Sequence, residues 1–134
     1  MKKKRIIIVD DCKVTTTTVE ATLTRFLRNH HIELKSYTNP KELYHKLISE
    51  DPNTQEYYDL LICDINMPEM NGLDLILELM DHNRFKNKPI VVLSTESDEE
   101  VKMVGNDLGV NDWIVKPFDP NHLVNTVSEL MTLA

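Results

Sequence analysis

The feature that most restricts the possible folds is a recurrence of short, unbroken apolar runs. They lie at residues 6–9 (IIIV), 60–63 (LLIC), 90–93 (IVVL) and 113–115 (WIV). Runs this short, rich in β-branched residues and free of polar interruptions, suit strands covered on both faces, as in a parallel sheet. Residues 32–37 (IELKSY) alternate in polarity and read as a weaker strand. Between the runs the apolar period changes to that of a helix. Val19, Leu23, Phe26 and Leu27 share one face, as do Leu43, Leu47 and Ile48. The same spacing groups Leu73, Ile76, Leu77 and Met80, then Val101, Val104 and Leu108, then Leu123, Val127, Leu130 and Met131.

Helix start signals agree. Asn39 precedes Pro40 with Glu42 three residues on, Ser97 and Glu100 have capping-box spacing, and Asp119 precedes Pro120. Residues 50–58 form the longest connection and are expected to be an exposed loop. Gly105 in the fourth helix costs about 0.5–1 kcal/mol relative to Ala, so this helix is expected to fray and to be reorganised by partners. Five strands alternating with five helices predict a doubly wound α/β fold with helices on both faces of the sheet. The 134 residues fit one domain over 1–134, since domains run to roughly 100–200 residues.

Composition removes several function classes. No apolar run approaches the roughly 18 residues that span a bilayer. The basic start (KKKR, residues 2–5) is followed by only four apolar residues and then two aspartates, unlike a secretory signal. This basic run reads as a solvated edge before a buried strand. Cys12 and Cys63 have no metal-type spacing, which implies a reducing, cytoplasmic setting. The net charge of −7 argues against nucleic acid or an anionic membrane as a direct partner.

In doubly wound sheets, ligands bind outside the carboxyl ends of the strands. Here the first strand ends in Asp10 and Asp11 and the third in Asp64. The fourth ends in Ser94 and Thr95, and the fifth in Lys116 and Pro117. Singly, each is ordinary: aspartate forms turns and lysine is a surface charge. Jointly, three carboxylates, a hydroxyl and an ammonium at four strand ends define a site. Two unit charges about 4 Å apart interact by roughly 4 kcal/mol at an effective dielectric of 20, so clustered carboxylates call for a cation. All-oxygen ligands select a hard divalent ion such as Mg²⁺. A metal, a lysine and a hydroxyl together suit phosphoryl oxygens, and a carboxylate can act as the nucleophile that forms an acyl phosphate.

The pair DD at 10–11, ICDINMPEMNG around Asp64, LST at 93–95 and DWIVKPF at 112–118 together resemble the receiver domain of bacterial response regulators, over nearly the whole chain. The resemblance implies a flavodoxin-like sheet of order 2-1-3-4-5. It implies that Asp64 accepts a phosphoryl group from the phosphohistidine of a sensor kinase or phosphotransfer protein. Asp11 would bind Mg²⁺ directly and Asp10 through water, with Asp64 and the backbone carbonyl of Asn66 as further ligands. Ser94 would move to hydrogen-bond the phosphoryl oxygens, and Lys116 would pair with them. The Lys116–Pro117 bond would be cis. Trp113 stands where the family's switch ring, Tyr or Phe, is usual. Asn66 and Glu96 occupy the positions that tune phosphoryl lifetime, and their identity leans towards the chemotaxis type over the phosphorelay type. Output would use the face of the fourth helix, fifth strand and fifth helix. No DNA-binding segment follows the last helix, so output through protein contact is expected. Self-phosphorylation and autodephosphorylation would be the only chemistry, with no small-molecule turnover.

Three positions depart from the family pattern, one of them Gly105 in the middle of the fourth helix. Thr95 replaces a usual Ala and is expected to narrow access to Asp64. Trp113 is bulkier than Tyr or Phe and donates only through its indole N–H, so an inward-swinging and a wedged ring both stay open. Two other function classes fit less well. A metal-dependent phosphatase or phosphotransferase lacks its substrate-recognition insertion here, and a phosphate-free interaction module has no reason to hold a repulsive acid cluster. The remaining features have plain readings. Both cysteines read as small buried filler, with Cys63 directed away from Asp64. His30, His31, His45, His82 and His122 read as surface residues, without a second metal site. The threonines at 15–18 make a weak first turn, and the acids at 96–100 suit a helix N-terminus.

Overall fold

The computed structural model describes residues 3–133, so Lys2 of the basic run and Ala134 lie outside it. Ten elements alternate along the chain. They are β1 (Lys4–Val9), α1 (Lys13–Leu27), β2 (Ile32–Tyr37), α2 (Pro40–Ile48), β3 (Leu60–Cys63), α3 (Gly72–Met80), β4 (Ile90–Ser94), α4 (Glu99–Leu108), β5 (Asp112–Val115) and α5 (Pro120–Leu130). All strand pairs are parallel and the order is β2-β1-β3-β4-β5, the flavodoxin-like arrangement.

Successive side chains on a strand point to opposite faces, so each all-apolar run feeds two cores. Ile7, Val9, Leu61, Cys63, Ile90 and Val92 face α2 and α3, meeting Leu43, Leu47, Leu75, Ile76 and Leu79. Ile6, Ile8, Leu60, Ile62, Val91 and Leu93 face α1 and α5, meeting Val19, Leu23, Leu123 and Val127. Register aligns Val9 with Cys63, Cys63 with Val92 and Val92 with Trp113. The residues that follow these positions therefore emerge at one edge of the sheet.

Four local expectations are corrected. In α3 the buried face is Leu75, Ile76 and Leu79, while Leu77 is exposed. Apolar residues surround this helix, so its period leaves the phase open, and the close seating of Gly72 on the preceding loop sets it. In α4, Val104 is exposed and Gly105 is the fully buried position. The α4 cap is Asp98, whose carboxylate accepts from the Glu100 and Val101 N–H groups. Ser97 lies one residue too early to cap. The connection at 50–58 is exposed only in its first half. Glu56 and Tyr58 are buried, and Tyr58 stacks on Phe85 with ring centroids 5.0 Å apart.

The buried Glu56 explains that difference. Its carboxylate is held by the Arg5 guanidinium and the Tyr37 hydroxyl, by Lys35 at 3.1 Å and by the Tyr57 N–H at 3.0 Å. The Glu56 N–H donates to the Lys46 carbonyl at 2.8 Å. A buried carboxylate persists when it is paired and hydrogen-bonded, and here the pairing draws the loop onto the face of β2. The other two cap readings hold. Asn39 accepts from Lys41 and Glu42 at the start of α2, and Asp119 accepts from Asn121 at the start of α5.

Candidate functional site

Asp10 follows β1 directly, and Asp11 comes next as the chain turns towards α1. Asp64 follows β3, Ser94 ends β4, and Lys116 follows β5. Oxygens of Asp10, Asp11 and Asp64 all lie within 4.8 Å of one another. Asp10 and Asp64 are buried and Asp11 is exposed, so the cluster opens to solvent on one side. Lys116 reaches between the two buried acids. Its ammonium lies 2.7 Å from Asp10 Oδ2 and 3.6 Å from Asp64 Oδ2. One lysine cannot neutralise three carboxylates, and an all-oxygen set of this span fits a hard divalent cation.

The carboxylates are held by the backbone. Asp10 Oδ1 accepts from the Cys12 N–H at 2.9 Å, and Asp64 Oδ1 accepts from the Ile65 N–H at 2.7 Å. Burial pushes the Asp10 carboxyl above the ordinary carboxylate range, against the opposing pull of Lys116 and the Cys12 N–H. Burial also draws Lys116 down, but its contacts with Asp10 and Asp64 outweigh that and leave it above its ordinary value.

The loop behind Asp64 owes its position to a residue that sequence reasoning did not single out. A Cβ on Gly72 would lie 2.0 Å from the Asp64 carbonyl oxygen and 2.8 Å from Ile65 Cα. Only glycine lets the first turn of α3 approach so closely, and its N–H bonds the Ile65 carbonyl at 2.8 Å. The available signal was the Asn71-Gly72 dipeptide, because Asn71 caps α3 by accepting from the Leu73 N–H. The Cys63 thiol, buried in the α2/α3 core, donates to the Asp64 carbonyl at 3.0 Å. Burial pushes that thiol well up. Cys12, expected to be buried, is exposed beside Asp11, and hydrogen bonds with Thr15 hold its thiol below the ordinary value.

On the β4 side, the Ser94 hydroxyl is buried and accepts from the Glu96 N–H at 3.2 Å. Thr95 is exposed, and Asn66 stands exposed in the loop after Asp64. The Trp113 indole N–H donates to the Glu96 carbonyl at 2.9 Å. Its ring lies against Gly105, where an added Cβ would come within 2.7 Å of Cζ3. The glycine expected to loosen α4 thus makes room for the indole, and Trp113 connects α4 to the loop that carries Glu96, just after Ser94 at the end of β4. The Lys116–Pro117 peptide bond is cis, and the Lys116 N–H bonds the Ser94 carbonyl at 2.9 Å. His31, His45 and His122 are exposed as expected, His122 lying 3.4 Å from Asp112, while His30 and His82 are half-buried and the His30 Nδ1 is buried without a hydrogen-bond partner.

Comparison with known proteins agrees with this geometry. The family model described as the response regulator receiver domain matches residues 6–128. Chemotaxis protein CheY1 of Helicobacter pylori is 36% identical over 119 residues, covering 89% of this chain and 90% of the relative. The CheY homolog of Campylobacter jejuni is 29% identical over 127 residues, covering 95% and 92%. Among solved structures, Vibrio cholerae CheY4 superposes with a TM-score of 0.79 at 27% identity, covering 96% of this chain and 99% of that one. The phosphorylated cyanobacterial phytochrome response regulator RcpA gives a TM-score of 0.84 at 25% identity, covering 99% and 97%. Among the described residues, no helix is long and apolar enough to cross a membrane.

Proposed function

The chain belongs to the response regulator receiver family and is homologous to the CheY chemotaxis proteins, and on that premise we propose that Asp64 is its phosphoryl acceptor. The observation that carries this is the position of Lys116, whose ammonium bridges Asp10 and Asp64 inside an acid cluster that opens to solvent. Asp64 Oδ1 is engaged by the Ile65 N–H, which leaves Oδ2, 3.6 Å from the Lys116 ammonium, as the oxygen that attacks phosphorus. In the transfer, an Asp64 O–P bond forms and the N–P bond of a donor phosphohistidine breaks, with the leaving imidazole taking up a proton. Lys116 shifts from the carboxylates to the incoming phosphoryl oxygens, and the Ser94 hydroxyl, released from the Glu96 N–H, turns to donate to them.

Asp11, Asp64 and the Asn66 carbonyl would hold Mg²⁺, with Asp10 acting through water. A bound Mg²⁺ supplies positive charge facing the transferred phosphoryl oxygens. The donor is a sensor kinase or phosphotransfer protein, and the output passes by protein contact through α4, β5 and α5 rather than by contact with DNA or membrane. Each chain carries one phosphoryl group and turns over no small molecule. Asn66 and Glu96 set its lifetime.

Intact mass after incubation with acetyl phosphate, with Mg²⁺ or with EDTA, tests the reading beside Asp64→Asn. One added phosphoryl group only with Mg²⁺ and only with Asp64 present supports it. Uptake by Asp64→Asn would move the acceptor elsewhere. No uptake, even from a phosphorylated kinase domain, would leave a phosphate-free interaction module.

A further inference from the structure

At the other end of the sheet from the acid cluster lies a basic cavity of about 440 Å³, lined by Lys3, Thr24, Leu27, Arg28, His31 and Leu34. Lys3 precedes β1, Arg28 follows α1 and His31 precedes β2. The cavity therefore sits where the strands begin, and the six residues of β1 put about 20 Å between it and Asp10. Leu27 is buried and Leu34 half-buried, while Lys3, Thr24, Arg28 and His31 are exposed. Among the described residues no carboxylate lines the cavity, although the chain carries a net charge of −7. Glu33 is the one acid of β2, but it stands between Ile32 and Leu34 and points to the other face, where Arg5 holds it at 2.7 Å. Arg5, Lys35, Lys46, Lys88, Lys102 and Lys116 all pair with acids, whereas among the described residues Lys3 and Arg28 pair with none. The local fold has other means of support. The Tyr57 hydroxyl holds the Lys3 carbonyl at 2.6 Å, Arg25 in the last turn answers the negative end of α1, and the His30 N–H donates to the Leu27 carbonyl at 2.9 Å. His31 has a φ of 54°, left-handed backbone that glycine adopts without strain. A histidine held there is strained in a way that the turn alone does not require.

We propose that this cavity binds a soluble phosphomonoester, with its phosphate among Lys3, Arg28 and His31 and its organic body against Leu27 and Leu34. The Arg28 guanidinium offers a planar fork for two phosphate oxygens and Lys3 a point charge. The His31 ring and the Thr24 hydroxyl are further donors. Two cations without a counter-charge match a phosphomonoester, which carries close to two negative charges near neutrality, better than they match a single carboxylate. The volume lies in the range of sites for small organic molecules. A phospholipid could present the same headgroup, but the net charge of −7 opposes an anionic membrane surface. The proposal is independent of the phosphoryl chemistry at Asp64.

Phenyl phosphate is the probe, titrated into the full isotope-labelled chain in EDTA, which keeps the acid cluster free of metal. The amide signals of Lys3, Thr24, Arg28 and His31 are expected to shift and saturate, and those of Asp64 and Lys116 to stay in place. Benzoate, with one charge on the same ring, is expected to bind about tenfold more weakly, and Arg28→Ala to weaken phenyl phosphate by at least about tenfold, through lost charge-assisted hydrogen bonds. Arg28→Lys keeps the charge without the fork and is expected to lose less. Lys41→Ala, an exposed lysine at the start of α2, is expected to leave binding within about twofold. His31→Gly separates backbone from binding: the urea midpoint is expected to hold or rise, while affinity falls by about threefold or more. No saturable shift, equal affinity for benzoate, equal loss in Arg28→Ala and Lys41→Ala, or shifts centred on Lys116 would each overturn the proposal. Co-sedimentation with phosphatidate vesicles, but not with phosphatidylcholine vesicles, would overturn the soluble source and make a lipid headgroup the ligand.

Discussion

At Gly105 a hydrogen in place of a methyl group decides where an indole rests. In an exposed helix interior, Gly→Ala stabilises by about 0.5–1 kcal/mol. Here the new Cβ would lie 2.7 Å from Trp113 Cζ3, and overpacking of this kind costs about 1–3 kcal/mol. The steric effect wins, so Gly105→Ala is expected to lower stability in urea unfolding and to shift Trp113 emission. In a Trp113→Phe background the same change is expected to become neutral or stabilising. The double-mutant cycle then yields a coupling energy, which independent sites would not. The sequence shows the glycine and the tryptophan but not their contact, because they stand eight positions apart and only the packing of α4 on β5 brings them together. Asp64 was legible for the opposite reason. Its place at the end of an apolar strand is a local property, whereas Gly72 behind it is required only because α3 folds back onto the Asp64 carbonyl.

At the scale of elements, the connection between α2 and β3 behaves as part of the core. Burial acts to raise the Glu56 carboxyl, but hydrogen bonds from Tyr37, Tyr57, Lys35 and Arg5 outweigh it and hold the group below its ordinary value of 4.5. The unfolded chain therefore binds this proton more readily than the folded one. The stabilisation is fully present above about pH 4.5 and is lost as pH falls through the lower folded value. Glu56→Gln is expected to destabilise by about 3 kcal/mol near neutrality, the low end for a broken buried pair because Lys35 stays solvated. The gap from wild type should close in acid. Urea midpoints measured from about pH 7 to about pH 3 check this, and a gap constant over that range would show that Glu56 does not act through its charge. Polarity alone marked residues 50–58 as an outer loop, and polarity was misleading because the partners of Glu56 lie on β1 and β2, distant in sequence.

At the scale of the whole molecule, the sheet gathers its acids at one edge with a single lysine among them. A cation that binds only the folded chain stabilises it by mass action, by about 1.4 kcal/mol at ten times its Kd. Mg²⁺ is therefore expected to raise the Tm, EDTA to reverse the effect, and Asp11→Asn to reduce it, as read in a thermal scan. An identical Tm with Mg²⁺ and with EDTA would mean that the cluster holds no such ion. The same concentration of charge extends outward, since the acids of α4 give its face a sign that none of the strand-end residues reveals.

What the sequence by itself determined was set by local rules. Apolar runs covered on both faces must be strands of a buried sheet, the helices between them force parallel pairing, and polar residues just past the strand ends must meet at one edge. Those rules act over a few residues and can be read without coordinates. Only the tertiary structure decided the phase of α3, the burial of Glu56, the seating of Trp113 on Gly105 and the sharing of Lys116 between Asp10 and Asp64. Each of these depends on which distant side chains meet. A distance between elements is settled by packing the whole sheet and its helices together, and no local pattern encodes it.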